Sequence, residues 1–427
     1  MRCSCGQETG LSTRRCERCE KTLLLGMDPQ QLLIDAVAAG SLLVTVLIVL
    51  LIGRATPDVE PAPVATTGRD QHTQSKANPL GLAVTPHEFD DMGGLLQTLG
   101  PAYARYDDLV MDDLLQPKKL SQYNAVFLTC RQMPLEWTIE EKGREAARGG
   151  ELRPIRPEID KRLRDSLRSY VYNGGALYAS DFYFYILKIA FPEFIDKTKM
   201  TTGAGHITVF AEVVDWGLKK RLGRDTIELH FDKEGWIPAA FDESKVTTHL
   251  RGTFRRSDGR RTDSPLLVQF DFGKGSVVFT SFHNEKQTSD TELELLRYLV
   301  FTTLTAQTEA QVRRELAVGG FSPVDRSLLS ASGGQQKIVG AYLSETDQDL
   351  KFVLDFEGPR VAGGGGHRAK LRLDVTGPDG RTKKQREGTS TIEIDVPGAA
   401  GKWSYTVTLL KVPHENFPFT LHVAEKL

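Results

Sequence analysis

The feature that most constrains this chain is an apolar run at residues 32–52, LLIDAVAAGSLLVTVLIVLLI, which carries a single charge, Asp35, near its start. A helix rises about 1.5 Å per residue, so a run of roughly 21 residues covers the ~30 Å of a bilayer's hydrocarbon, where a helix satisfies its own backbone. A cleaved signal peptide fits less well, because its apolar stretch is about 7 to 15 residues long behind a short basic leader. This run instead follows a segment that holds four cysteines. The sequence therefore predicts a transmembrane helix over residues 32–53. Arg2, Arg14, Arg15, Arg18 and Lys21 precede it, and only Arg54 follows before Arg69. Lys and Arg near a span mark its cytoplasmic side. The expectation is a single-pass inner-membrane protein with a cytoplasmic N-terminus and extracytoplasmic domains.

Cysteine usage matches that division. Cys3, Cys5, Cys16 and Cys19 precede the run and Cys130 alone follows it, so the outer domains are not built on internal disulfides. Four thiolates suit a tetrahedral zinc ion, whose binding supplies folding energy that a short segment cannot draw from a core. Residues 1–22 resemble a small zinc ribbon with Cys16-x-x-Cys19 as its standard knuckle; Cys3-x-Cys5 departs from the pattern by having one intervening residue. Unmetallated or redox-active thiols are the alternative. A four-cysteine zinc site is structural, since no coordination position is left open. Residues 54–78, polar and rich in proline, read as a disordered linker with a reach on the order of 25 to 30 Å. A formal net charge of −2 gives no sign of a nucleic-acid partner. The expected partners are the membrane and an envelope protein or small-molecule ligand.

From Leu80 the pattern alternates between short apolar strands and amphipathic helices. Residues 81–85, 125–129 and 176–179 read as buried strands, and another lies near residues 103–110. Asp90 or Asp91 caps a helix carrying Leu95, Leu96 and Leu99. Pro157 opens a helix whose Ile159, Leu163, Leu167 and Val171 recur every four residues and which stops at Asn173-Gly174. Strand, helix, strand at this spacing implies right-handed crossovers and a parallel sheet, hence an α/β fold. Strands at residues 207–214, 226–231, 246–253, 266–272 and 276–280 follow, with Asp258-Gly259 and Gly273-Lys274-Gly275 as hairpin turns. The domain closes on a helix with a capping-box pattern at Ser289 and Glu292.

The order of these elements, the GGALYASD strand and the SFHNE after GKGSVVFT resemble the class I glutamine amidotransferase-like domain and its trehalose-utilisation relatives, over residues 79–310. The resemblance implies a nucleophile after the strand at residues 176–179 and a later His-x-Glu. The matching positions are Ser180, His283 and Glu285. The family's cysteine is absent, and its flanking glycines are replaced by Ala179 and Asp181, so glutamine hydrolysis is not expected. Two alternatives stay open. Ser180, His283 and Glu285 form a degenerate hydrolytic triad, or Ser180, Asp181 and His283 line a binding crevice of a noncatalytic sensing or scaffolding domain. Cys130 reads as a buried, inert thiol. The arginines at 251, 255, 256, 260 and 261 read as a solvated hairpin, or as a contact for an anionic surface.

Residues 333–427 change again, to strands without helical period at residues 337–344, 351–356, 369–375, 391–396, 403–412 and 419–423. They predict an antiparallel β-sandwich that resembles the pre-peptidase C-terminal modules of secreted bacterial proteins. Gly363 to Gly366 read as a loop.

Overall fold

The central strands of the α/β half, LAV, AVFL, ALYAS and GSVVFT, are too apolar to leave either face in water. In the computed structural model, residues 78–138, 155–199, 203, 205–233, 235–256, 258–331, 336–356 and 369–427 are described. The expected zinc ribbon, transmembrane helix and Gly363–Gly366 loop lie outside these residues, as does the linker up to residue 77. Among the described residues no helix is long and apolar enough to cross a membrane.

A nine-stranded sheet holds β1 (Leu82–Val84), β2 (Asp107–Asp108), β3 (Ala125–Leu128), β4 (Ala176–Ser180), β5 (Ile207–Val213), β6 (Thr226–Phe231), β7 (Thr247–Arg255), β8 (Arg261–Phe272) and β9 (Gly275–Thr280). Its order is β2-β1-β3-β4-β9-β8-β7-β5-β6. The strands β2, β1, β3, β4 and β9 run parallel, and β9, β8, β7, β5 and β6 pair antiparallel. Alternate residues of β3 and β4 feed two cores on opposite faces: Ala125, Phe127, Ala176 and Tyr178 enter one, and Val126, Leu128, Leu177 and Ala179 the other. Burial on both faces is the ordinary condition of a parallel strand.

The helices are α1 (Met92–Thr98), α2 (Pro117–Leu120), α3 (Pro157–Tyr172), α4 (Phe184–Ala190), α5 (Trp216–Leu222) and α6 (Asp290–Val318). Asp91 caps α1 by accepting from the Gly94 amide at 2.7 Å. Pro157 sits in the first turn of α3, which buries Leu163, Leu167 and Val171. The β8–β9 turn requires glycine at 273, where φ is +63° and a Cβ would sit 2.6 Å from the Tyr172 carbonyl oxygen. At α6 the capping box forms as the sequence predicts, with Ser289 Oγ accepting from Glu292 N at 3.3 Å and Glu292 Oε2 accepting from Ser289 N at 2.7 Å.

The C-terminal half is a sandwich of two four-stranded antiparallel sheets. One is β10 (Phe321–Ala331), β17 (Phe417–Lys426), β12 (Leu350–Asp355) and β15 (Ile392–Val396), in that order. The other is β11 (Lys337–Ser344), β16 (Gly401–Lys411), β13 (Lys370–Thr376) and β14 (Lys383–Gly388). Two of these strands escaped the sequence reading. The β10 strand carries Pro323 beside a register shift, as a proline in an edge strand should. The β14 strand, KKQREG, is almost wholly exposed and has no apolar face to betray it.

Residues 73–427 form one compact unit. Its seam is α6, whose 29 residues span about 44 Å. Glu309 on α6 is buried and paired with Arg326 of β10, through Nε to Oε2 at 2.5 Å and Nη2 to Oε1 at 2.8 Å. Arg326 Nη1 also donates to Tyr298 Oη at 2.7 Å. Val312 and Leu316 of α6 pack against Val353 and Ala424 of the sandwich.

Candidate functional site

The carboxyl ends of β3, β4 and β9 converge, and each delivers polar side chains into one buried cluster. After β3 comes Cys130, after β4 Asp181, and after β9 His283. Ser180, the last residue of β4, is extended (φ −121°, ψ 144°) and fully buried. Its hydroxyl donates to Asp90 Oδ2 at 2.7 Å and accepts from the Cys130 amide at 3.0 Å. Asp90 Oδ1 in turn accepts from the Asn284 amide at 2.8 Å. Burial raises the Asp90 pKa, against the charge of His283 and the Ser180 and Asn284 hydrogen bonds.

The end of β4 turns sharply only after Ser180. Asp181, not Ser180, has positive φ, at +42°. A non-glycine residue held there costs on the order of 1–3 kcal/mol, a strain that clusters at functional sites. Asp181 Oδ1 accepts from the Ile237 amide at 2.7 Å. Its Oδ2 faces the Cys130 sulfur at 3.7 Å and His283 Nε2 at 3.2 Å.

His283 is 2% exposed. Its Nδ1 lies 2.8 Å from Asp232 Oδ1, at the end of β6. Its Nε2, though near Asp181, lies outside hydrogen-bond geometry and is a buried nitrogen without a hydrogen-bond partner. Burial lowers the imidazole pKa, but Asp181 and Asp232 outweigh it and hold the ring's pKa raised. Burial raises Asp181, opposed by His283. Asp232 is pulled down, burial being outweighed by its bond to His283. Burial also pushes the Cys130 thiol up to about 12.

The sequence-predicted residues thus separate into different partnerships. Ser180 is tied to Asp90. Glu285 pairs with His87 at 2.6 Å on the exposed side of the loop, so it does not orient His283; Asp232 occupies that role. A Ser180–His283–Glu285 relay is not assembled. Asp181 and His283 do meet, and Cys130, read from sequence as a thiol without a partner, joins them. Cys130 and Asp181 are 51 positions apart in the chain, and Asp232 and His283 are likewise 51 apart, so no local motif announces either pair. The aromatic run after Asp181 is core: Tyr183 and Phe184 are buried, with Phe184 edge-on to Phe241 and Phe279. In the basic hairpin, Arg251 pairs with Glu243 and Asp263, and Arg256 with Asp258.

No protein-family model matches the chain, and no curated protein matches it. Solved structures similar to it include a ThuA-like protein from Bacteroides uniformis, at 12% identity over 58% of this chain and 96% of that one, TM-score 0.36. A glutamine amidotransferase from Thermotoga maritima is 13% identical over 56% of this chain and 93% of its own, TM-score 0.30. A β-galactosidase from Bacillus circulans is 11% identical over 77% of this chain and 41% of its own, TM-score 0.30. At such scores the fold class rests on the sheets themselves: a mixed α/β sheet joined to a separate all-β sandwich.

Proposed function

We propose that this chain is a membrane-anchored protein of the bacterial envelope whose amidotransferase-like domain is a noncatalytic binding scaffold. The observation that carries the reading is the state of Ser180. Its hydroxyl is fully buried and committed to Asp90, with its lone pair engaged by the Cys130 amide. A nucleophile must reach substrate and stand within hydrogen-bond reach of its base. The cavity between the α/β domain and the sandwich, lined by Leu80, Tyr103, Leu304, Phe356, His414 and Phe417, has a volume of about 40 Å³. That holds water, not a metabolite, which needs roughly 300 Å³ or more. The apolar surface offered to a partner is Phe210, Val214 and Trp216, which stand exposed on and just after β5. The anchor at residues 32–53, the cytoplasmic N-terminus and a structural zinc on Cys3, Cys5, Cys16 and Cys19 belong to the same proposal.

The test is chemical. The full chain in detergent is incubated with a fluorophosphonate probe and assayed for hydrolysis of glutamine and of an activated ester. The expected result is no labelling of Ser180 and rates equal to buffer. Saturable hydrolysis that disappears in Ser180→Ala would overturn the reading.

A further inference from the structure

Nothing above accounts for a buried imidazole nitrogen left without a hydrogen-bond partner beside a carboxylate oxygen and a thiol. Buried polar atoms in folded proteins are nearly always satisfied, and each exception asks for an explanation, a bound ion among them. We infer that Cys130, Asp181 and His283 form a divalent transition-metal site, taking zinc, at the carboxyl ends of β3, β4 and β9.

Four independent features converge on it. The first is spacing. The Cys130 sulfur, an Asp181 carboxylate oxygen and a His283 ring nitrogen all lie within 4.8 Å of one another. A tetrahedral zinc with bonds of about 2.0 Å to N and O and 2.3 Å to S separates its ligand atoms by about 3.3 to 3.5 Å. The Asp181 Oδ2–His283 Nε2 and Cys130 Sγ–Asp181 Oδ2 separations of 3.2 and 3.7 Å lie close to those tetrahedral edges.

The second is the outer partners. A metal-binding histidine characteristically gives its other ring N–H to a carboxylate, which fixes the tautomer and aims the free nitrogen at the metal. Asp232 Oδ1 stands 2.8 Å from His283 Nδ1 and does this. The Ile237 amide likewise engages Asp181 Oδ1 at 2.7 Å and leaves Oδ2 as the ligand atom. Third, Asp181 is held at φ +42°. That conformation carries its carboxylate from the end of β4 into the cluster, and bonding to a cation would offset the strain.

The fourth is charge. All three groups are buried, and a thiolate and a carboxylate together cancel a divalent ion, so the loaded site adds no net charge to the interior. The mixture of one sulfur, one nitrogen and one oxygen favours zinc over magnesium or calcium, which take oxygen ligands. Three protein ligands leave a fourth position for a water. The ion's role is to tie the ends of three neighbouring strands together. This site is separate from the N-terminal cysteines and stands whether or not the scaffold reading holds.

The experiment uses the full chain in detergent with Cys3, Cys5, Cys16 and Cys19 all replaced by serine, so that Cys130 is the one thiol left. After dialysis against micromolar zinc and gel filtration, mass spectrometry of the eluted metal is expected to read one zinc per chain. Cobalt in place of zinc is expected to give a thiolate charge-transfer band that Cys130→Ser removes. Asp232→Asn, which leaves all three ligands in place, is expected to weaken zinc affinity roughly 10- to 100-fold with an unchanged circular-dichroism spectrum. Background zinc in the serine-substituted chain, or a cobalt spectrum unaffected by Cys130→Ser, overturns the site.

Discussion

Replacing Arg326 with methionine is the perturbation that most directly tests how the two halves of the described unit are joined. The guanidinium holds both oxygens of Glu309, at 2.5 and 2.8 Å, and the Tyr298 hydroxyl at 2.7 Å. Glu309 is 1% exposed. Burial raises its pKa, but the Arg326 charge and hydrogen bonds dominate and leave it lowered to about 2. Without Arg326 a carboxylate remains in the interior, with Arg313 Nη1 at 3.9 Å and the Thr305 hydroxyl at 2.5 Å as residual partners. Removing one member of a buried pair costs about 3–5 kcal/mol, whereas replacing both by apolar residues of similar volume is often neutral or stabilising. The expected result in urea unfolding is therefore a loss of about 3–5 kcal/mol for Arg326→Met and recovery of most of it in the Glu309→Leu, Arg326→Met double variant. Adding the Glu309→Leu single variant closes a double-mutant cycle, and two side chains in direct contact should show a clear coupling energy in it. A cost under about 1 kcal/mol for Arg326→Met, or a double variant no better than the single, would refute the argument that this pair is desolvated.

The remaining predictions concern acid, hydrogen bonding and topology. His422 is depressed to about 4, chiefly by burial, with Glu309 opposing and Arg326 and Arg313 reinforcing the shift. Its folded-state pKa lies below the unfolded value of about 6.5, so stability is complete above pH 6.5 and declines by about 3 kcal/mol as pH falls to 4. Melting temperature against pH should show that limb, and His422→Gln should flatten it. Glu309, also depressed, adds a second loss between its ordinary value of about 4.5 and about 2, in the same direction. Ser180→Ala leaves Asp90 short of a donor and the Cys130 amide short of an acceptor, and should cost about 1–3 kcal/mol in denaturant. Glu285→Ala, which severs only the surface contact to His87, should stay within about 0.5 kcal/mol. Tyr103 donates to the Asn416 carbonyl at 2.6 Å between the two halves, so Tyr103→Phe should lose about 1 kcal/mol. Alkaline carbonate should leave the full chain in the membrane pellet and release a chain lacking residues 32–53, and equal release of both would remove the anchor.

Much of the α/β core was legible in the sequence because its signals are local. The apolar strands β3, β4 and β9 carry their burial in their composition, and α3 carries its buried stripe in its spacing and its start in Pro157. Ser289 and Glu292 announced the start of α6 by three-residue chemistry. What local signals did not reach was equally physical. The β10 and β14 strands are edges, where exposure and proline remove the alternation that marks a strand. The continuation of α6 to Val318 serves a contact with a sandwich that the chain has not yet made at that point.

The candidate site divides in the same way. Position at a strand end drew attention to Ser180 and Asp181, and the resemblance to the amidotransferase-like domain added His283 and, through that family's missing cysteine and glycines, argued against glutamine hydrolysis. Only the tertiary structure decided that Ser180 belongs to Asp90, that Glu285 belongs to His87, and that Cys130 and Asp232 complete the surroundings of His283. The reason is that a hydrogen bond is fixed by distances of a few tenths of an ångström. Those distances depend on which strands neighbour one another in the sheet and on one backbone angle at Asp181. Periodicity and composition determine that strands and helices exist; they carry no record of which loop end meets which.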